Sequence, residues 1–192
     1  MKEQSDRLNN QAIILASDGA YSEAIACFKR AITLERDNYL LWYNLGITYR
    51  DAGNLEEAKN SLGTAFAISP ENPDVEETYA TVCLMQKDFD LVHQICEEGL
   101  DYNPLHSHLW NLLGVSEFQS ENYEKASEYF EYAVSINPYY LDALYNLKDT
   151  YSVIKNKTGE AECAQKIKDI ESLFLCHNIK YNCILCYHVF TS

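Results

Sequence analysis

The chain has 192 residues, with 29 Asp and Glu against 15 Lys and Arg, a formal net charge of −14. No basic patch exists to neutralise phosphates, which excludes nucleic acid and anionic membrane surfaces and favours basic partners. Only 7 Gly and 4 Pro leave long helices easy and disfavour a turn-rich β fold. The N-terminal residues lack a secretory apolar segment, and no run of about 18 apolar residues appears, so neither secretion nor a spanning helix is expected. Seven cysteines without a signal fit a reducing compartment, and the expected location is cytoplasmic.

Pro70, Pro104 and Pro138 stand 34 residues apart, and Trp42 with Gly46 returns as Trp110 with Gly114 after two such periods. This period divides the chain into units 5–38, 39–72, 73–106, 107–140 and 141–173. Each unit carries two apolar stripes at helical spacing, hence two amphipathic helices. The first unit places Leu8 on its first helix and Ala24, Phe28 and Ala31 on its second. The second repeats this with Trp42, Leu45, Gly46, Ala58, Leu62 and Ala65. The third lacks the Trp and has Glu76 in its place, followed by Ala80, Val92, Cys96 and Gly99. The fourth restores Trp110, Leu113 and Gly114, with Ala126, Phe130 and Ala133. The fifth has Leu144, Leu147 and Tyr151, and gains about one residue around Lys155 to Gly159. Its second helix then starts at Thr158 with Ala161 facing inward. Asn54, Asp88 and Asn122 sit where second helices begin and are predicted N-caps, with Glu57 completing a capping box to Asn54. Proline closes units two to four because it cannot continue a helix.

Trp42-x2-Leu45-Gly46-x2-Tyr49 with Ala58 and Pro70, and its echo at Trp110, Gly114, Ala126, Phe130 and Pro138, resembles the tetratricopeptide-repeat (TPR) pattern. Glu117 departs from it, standing where Tyr is usual. The resemblance covers residues 5–173 and implies an all-α, right-handed α-solenoid of helix-turn-helix repeats. First helices line a concave face and second helices a convex one. Neighbouring units supply the stability that one unit lacks. Residues 174–192 form an apolar, Cys-rich tail, read as a capping helix over the last repeat.

Chemistry is sparse. In the tail, Cys176, His177, Cys183, Cys186 and His188 hold one Cys-x2-Cys half-site without a second ligand pair, and read as packing rather than zinc. His106-x-His108 reads as a solvated helix start. There is no Gly-x-Gly phosphate loop and no nucleophile–base motif, so no enzyme, cofactor or metal is expected. Paired acids such as Glu56-Glu57, Glu76-Glu77 and Glu97-Glu98 read as the solvated faces of helices.

The working surface implied by the resemblance is the concave groove. Its sixth-position residues are Asn10, Asn44, Thr78, Leu112 and Asn146. Asn there resembles a ladder holding an extended peptide backbone, since a carboxamide both donates and accepts; it is equally the family's common framework choice. Tyr43, Ile47 and Arg50 precede an acidic patch of Asp74 and Glu77. An apolar stretch of Leu84, Met85, Leu112, Val115 and Phe118 follows, marking a partner site. Alternatively, Phe118 turns inward to replace the Tyr missing at Glu117. Asn111, Tyr145 and Asp149 complete the groove. The expected role is a protein-interaction adaptor binding a peptide or helix with basic and apolar residues. The alternative is a self-associating scaffold, a homo-oligomer joined through the repeat ends and the tail.

Overall fold

A computed structural model of the chain describes residues 2–187, with side chains over 4–173. The fold is all-α, of the helix-turn-helix solenoid class, with ten helices and no strand among the described residues. They are α1 (Lys2–Ser17), α2 (Tyr21–Leu34), α3 (Tyr39–Asp51), α4 (Leu55–Ile68), α5 (Pro73–Met85), α6 (Phe89–Tyr102), α7 (Ser107–Gln119), α8 (Tyr123–Ile136), α9 (Leu141–Val153) and α10 (Lys157–Tyr187). Four first helices begin at the residues where the 34-residue period cuts the chain, and α1 begins three residues before Ser5. No described helix is long and apolar enough to cross a membrane.

The chain divides into two compact units, Met1–Ser116 and Glu117–Ser192. In the first, Leu8, Ala24, Phe28, Leu41, Leu45, Ala58 and Leu62 are almost fully buried. Gly46 lets α3 and α4 approach, since a Cβ there would lie 2.6 Å from Leu62 Cγ. Trp42 and Trp110 are half-buried, and their indole N–H groups donate to the carbonyls of Arg36 (2.8 Å) and Pro104 (2.9 Å), pinning each first helix to the loop before it. In the second unit, α9 packs against both α8 and α10 around Ala126, Phe130, Ala133, Leu144 and Leu147.

The predicted caps sit in a turn common to all five repeats. The residues two before each second helix, Gly19, Gly53, Lys87, Glu121 and Lys155, all have positive φ. Each first helix ends in a pair of reverse hydrogen bonds, as in Gly53 N–H to Arg50 O (2.9 Å) and Asn54 N–H to Tyr49 O (2.8 Å). Asn54, Asp88 and Asn122 are thus the final residues of this closing motif. None of the three makes a capping hydrogen bond; the Asp88 carboxylate is paired with Lys59, and the Asn122 carboxamide donates to Glu117. The Asn54–Glu57 capping box is absent as well. Side-chain caps do occur on first helices, where Asn38 accepts from Leu40 N–H and Asn72 from Asp74 and Val75 N–H.

A left-handed conformation costs an ordinary residue roughly 1–2 kcal/mol, part of which glycine returns through its floppier unfolded state. Lys87→Gly and Glu121→Gly should therefore each stabilise the chain by about 0.5–1 kcal/mol in urea unfolding, whereas Gly53→Ala should destabilise it.

The fifth repeat differs from its sequence reading. Lys155 keeps the 34-residue register, so the turn gains no residue, and Asn156 caps α10 by accepting from Gly159 N–H at 3.1 Å. Ala161, expected inside, is exposed; Gly159, Cys163, Ile167 and Ile170 face inward instead. Tyr151 lies over Gly159, where a Cβ would come within 2.6 Å of its ring, so this inward position needs a glycine. The helix continues past Leu173 to Tyr187 without a break. The side chains of Cys176, His177, Cys183 and Cys186, and all of His188, lie outside the described residues.

Candidate functional site

In the first unit, successive first helices α1, α3 and α5 are joined by polar side chains at the predicted groove positions. Asn44 Nδ2 donates to Asn9 Oδ1 at 3.0 Å, and Tyr43 Oη lies 3.3 Å from Thr78 Oγ1. Asn10 and Asp74 are exposed, while Tyr43, Asn44, Ile47 and Thr78 are half-buried. Arg50 folds back on Asp51 at 2.8 Å, which leaves less of its charge for a ligand. Of the sixth-position residues, Asn44 and Thr78 thus bond to a fifth-position side chain of the neighbouring repeat before any ligand arrives, a role that spacing alone does not reveal.

The apolar part of the predicted groove is smaller than expected. Leu112 and Asn111 are 8% and 7% exposed and belong to the core rather than the surface. Leu84 and Val115 are half-buried, and Met85, 53% exposed, is the apolar side chain most open to solvent in that group.

The acidic patch is also altered. Glu77 Oε2 meets His108 Nδ1 at 2.8 Å, and His106 converges on the same pair. One ligand atom from each of the three residues lies within 4.8 Å of the other two. Burial holds the His106 imidazole below its ordinary value, against the opposing pull of Glu77. The two histidines are therefore half-buried members of a mixed cluster, not a solvated helix start.

Glu76, read from sequence as surface, is 2% exposed. It occupies the packing position held by Trp42 and Trp110, and burial raises its carboxyl above the ordinary value. A cleft of about 480 Å³ beside it is lined by Ser69, Asn72, Pro73, Tyr102 and Asn103. Cys83 and Cys96 are buried nearby; burial pushes the Cys83 thiol up to about 12 and raises that of Cys96, so both are inert packing groups. Between α4 and the start of α6, Lys59 and Asp88 pair at 2.6 Å. This hydrogen bond lowers the Asp88 value and raises that of Lys59.

The buried Glu76 carboxyl makes stability depend on pH. Its folded value is raised above the ordinary 4.5, so the folded chain holds this proton more tightly than the unfolded one. The folded state then carries no penalty below the unfolded value, and the penalty grows as pH rises from there toward the raised folded value. Oε1 has no hydrogen-bond partner among the described residues, so the cost of burial falls on the charged form. Glu76→Gln keeps the shape, cannot ionise, and should be more stable than wild type at pH 7 by roughly 1–3 kcal/mol in urea unfolding. The gain should shrink toward pH 4; a gain constant with pH would place its origin elsewhere.

In the second unit, Phe118 does not take the place of the missing Tyr. It packs edge-on against Tyr123, with ring centroids 5.2 Å apart. Glu117 itself points inward, 5% exposed, bound to Lys125 Nζ and to Asn122 Nδ2. Tyr145 donates to Glu171 at 2.7 Å and lies under Lys148, so this expected anchor already has partners. Asn146 is half-buried, and Asp149 is exposed beside Lys148.

Three repeat models match the chain: a TPR repeat over residues 14–51 and tetratricopeptide repeats over 49–115 and 107–140. The chain is 27% identical over 132 residues to the BBSome complex member bbs-4 of Caenorhabditis elegans, covering 67% of this chain and 28% of that protein. It is 29% identical over 102 residues to the peroxisomal targeting signal receptor of Saccharomyces cerevisiae, covering 53% and 16%. The chain thus spans less than a third of the length of either relative. Among solved structures, the MamA protein matches with a TM-score of 0.78 at 18% identity, covering 90% of this chain and 94% of that one. YrrB, a TPR protein with an unusual peptide-binding site, matches with a TM-score of 0.68 at 23% identity, covering 93% of each. At these identities the structural likeness shows the fold alone.

Proposed function

The chain belongs to the tetratricopeptide-repeat family, and from that premise we propose that it is a non-enzymatic adaptor whose α1–α3–α5 groove face binds an extended segment of a partner protein. The observation that carries this is the polar network across successive first helices, Asn9–Asn44 and Tyr43–Thr78. The network fixes the Asn44 carboxamide, and its oxygen and second N–H can serve a peptide N–H and C=O. Fixing the group in advance lowers the ordering cost of binding. Ile47 and Tyr43 offer apolar contact beside it, and Asp74 favours a basic residue in the ligand. A BBSome subunit and a targeting-signal receptor among the relatives fit a protein-binding role without naming a partner for this chain.

The reading is tested with a library of extended peptides enriched in basic and apolar residues. Peptides selected by the chain should bind Asn44→Ala and Tyr43→Ala each about tenfold more weakly, a loss of ~1.4 kcal/mol, while circular dichroism stays unchanged. Selection of no peptide, or variants that bind the selected peptides as tightly as the wild-type chain, overturns it.

A further inference from the structure

We propose that Glu77, His106 and His108 form a site for a divalent metal ion of the zinc class, carried on α5 and the start of α7. The fold brings together residues 31 apart in sequence, with Glu77 Oε2 and His108 Nδ1 at 2.8 Å. In a tetrahedral site with bonds of about 2.0–2.1 Å, ligand atoms stand roughly 3.3 Å from one another. Glu77 Oε2 and His108 Nδ1 are already that close, and since the ligand atoms all lie within 4.8 Å of one another, no edge need close by more than about 1.5 Å. Side-chain rotation supplies this, because the backbone at His106 is held on both sides. Its N–H donates to Asn103 O at 3.1 Å, and its carbonyl accepts from Leu109 N–H at 3.2 Å. The two imidazoles meet edge to face, with centroids 5.9 Å apart, and do not stack. Asp74, one turn before Glu77, adds negative field at the same end of the helix.

The donor chemistry selects the metal. Two imidazole nitrogens and one carboxylate suit zinc and its neighbours, whereas magnesium and calcium require oxygen shells. All three side chains are half-buried, so the site is reachable and its fourth position is left to water. A simple Glu77–His108 ion pair accounts for one contact but not for the approach of His106. The site goes beyond the peptide reading and does not depend on it.

Thiols are themselves zinc ligands and the chain has seven cysteines, so the test must report on individual residues. Reduced full-length chain is titrated with Zn²⁺ at pH 7.5, following the imidazole ¹⁵N resonances of its five histidines. His106 and His108 should shift together as the site fills, and Mg²⁺ should move neither. Glu77→Gln should raise the zinc concentration needed for that shift about tenfold or more. The double change His106→Gln, His108→Gln should remove one bound equivalent, with helicity unchanged. Imidazole signals that stay fixed through several equivalents, or a Glu77→Gln titration equal to wild type, overturn the site.

Discussion

Gly99→Ala is expected to destabilise the chain by about 1–3 kcal/mol, although alanine is the better helix former by ~1 kcal/mol. The equivalent position is Ala31, Ala65 and Ala133 in other repeats, all fully buried, so a small residue with a Cβ is the rule here. The third repeat breaks the rule because it also breaks another. Glu76 stands where Trp42 and Trp110 stand, and its carboxylate fills the space a Cβ on Gly99 would need, 2.6 Å from Oε2 and 2.7 Å from Leu109 Cδ1. The two departures are therefore one event. In a Glu76→Ala background the Gly99→Ala change should become neutral or stabilising, and a double-mutant cycle by urea unfolding measures the coupling. Additive effects would show that the two positions do not interact.

Period and helix starts could be read from the sequence because they rest on local chemistry repeated at fixed spacing. Trp42, Gly46, Ala58 and Pro70 recur, and Tyr39, Pro73, Ser107 and Leu141 open their helices as the period requires. What could not be read was anything set by exchange between repeats. Glu76 looked like half of a surface acid pair until the fold showed it packed among its neighbours. Glu77 looked like bare negative charge because His106 and His108 lie close to a full repeat away. The N-cap reading failed as well. Asn54, Asp88 and Asn122 have the right chemistry, but the side chains of Asp88 and Asn122 are taken up by Lys59 and Glu117, contacts that spacing does not reveal. A closer clue was present in the spacing of Gly19 and Gly53, 34 residues apart, which marks the positive-φ position of the turn.

Lys125→Met is expected to cost about 2–3 kcal/mol, and Glu117→Tyr to restore what it removes. Glu117 occupies the place that Tyr49 and Tyr151 hold in other repeats, and it is as buried as they are or more so. A carboxylate there is tolerated because Lys125 and Asn122, both from the same unit, close on its two oxygens. Lys125 keeps about half of its side chain in water, so the pair is held at the surface end of a buried slot. Removing the lysine leaves a buried charge without its counter-ion, the costly half of breaking such a pair. Glu117→Tyr removes the charge together with its need for a cation, and puts at this position the residue that Tyr49 and Tyr151 supply in other repeats. The Glu117→Tyr chain should therefore be at least as stable as wild type, and adding Lys125→Met to it should cost under about 1 kcal/mol. Thermal and urea unfolding of the four chains decide the matter. If Lys125→Met costs as much in the Glu117→Tyr chain as in the wild type, the lysine acts through its packing on Tyr129, 5.4 Å from the ring centroid, and not through the carboxylate.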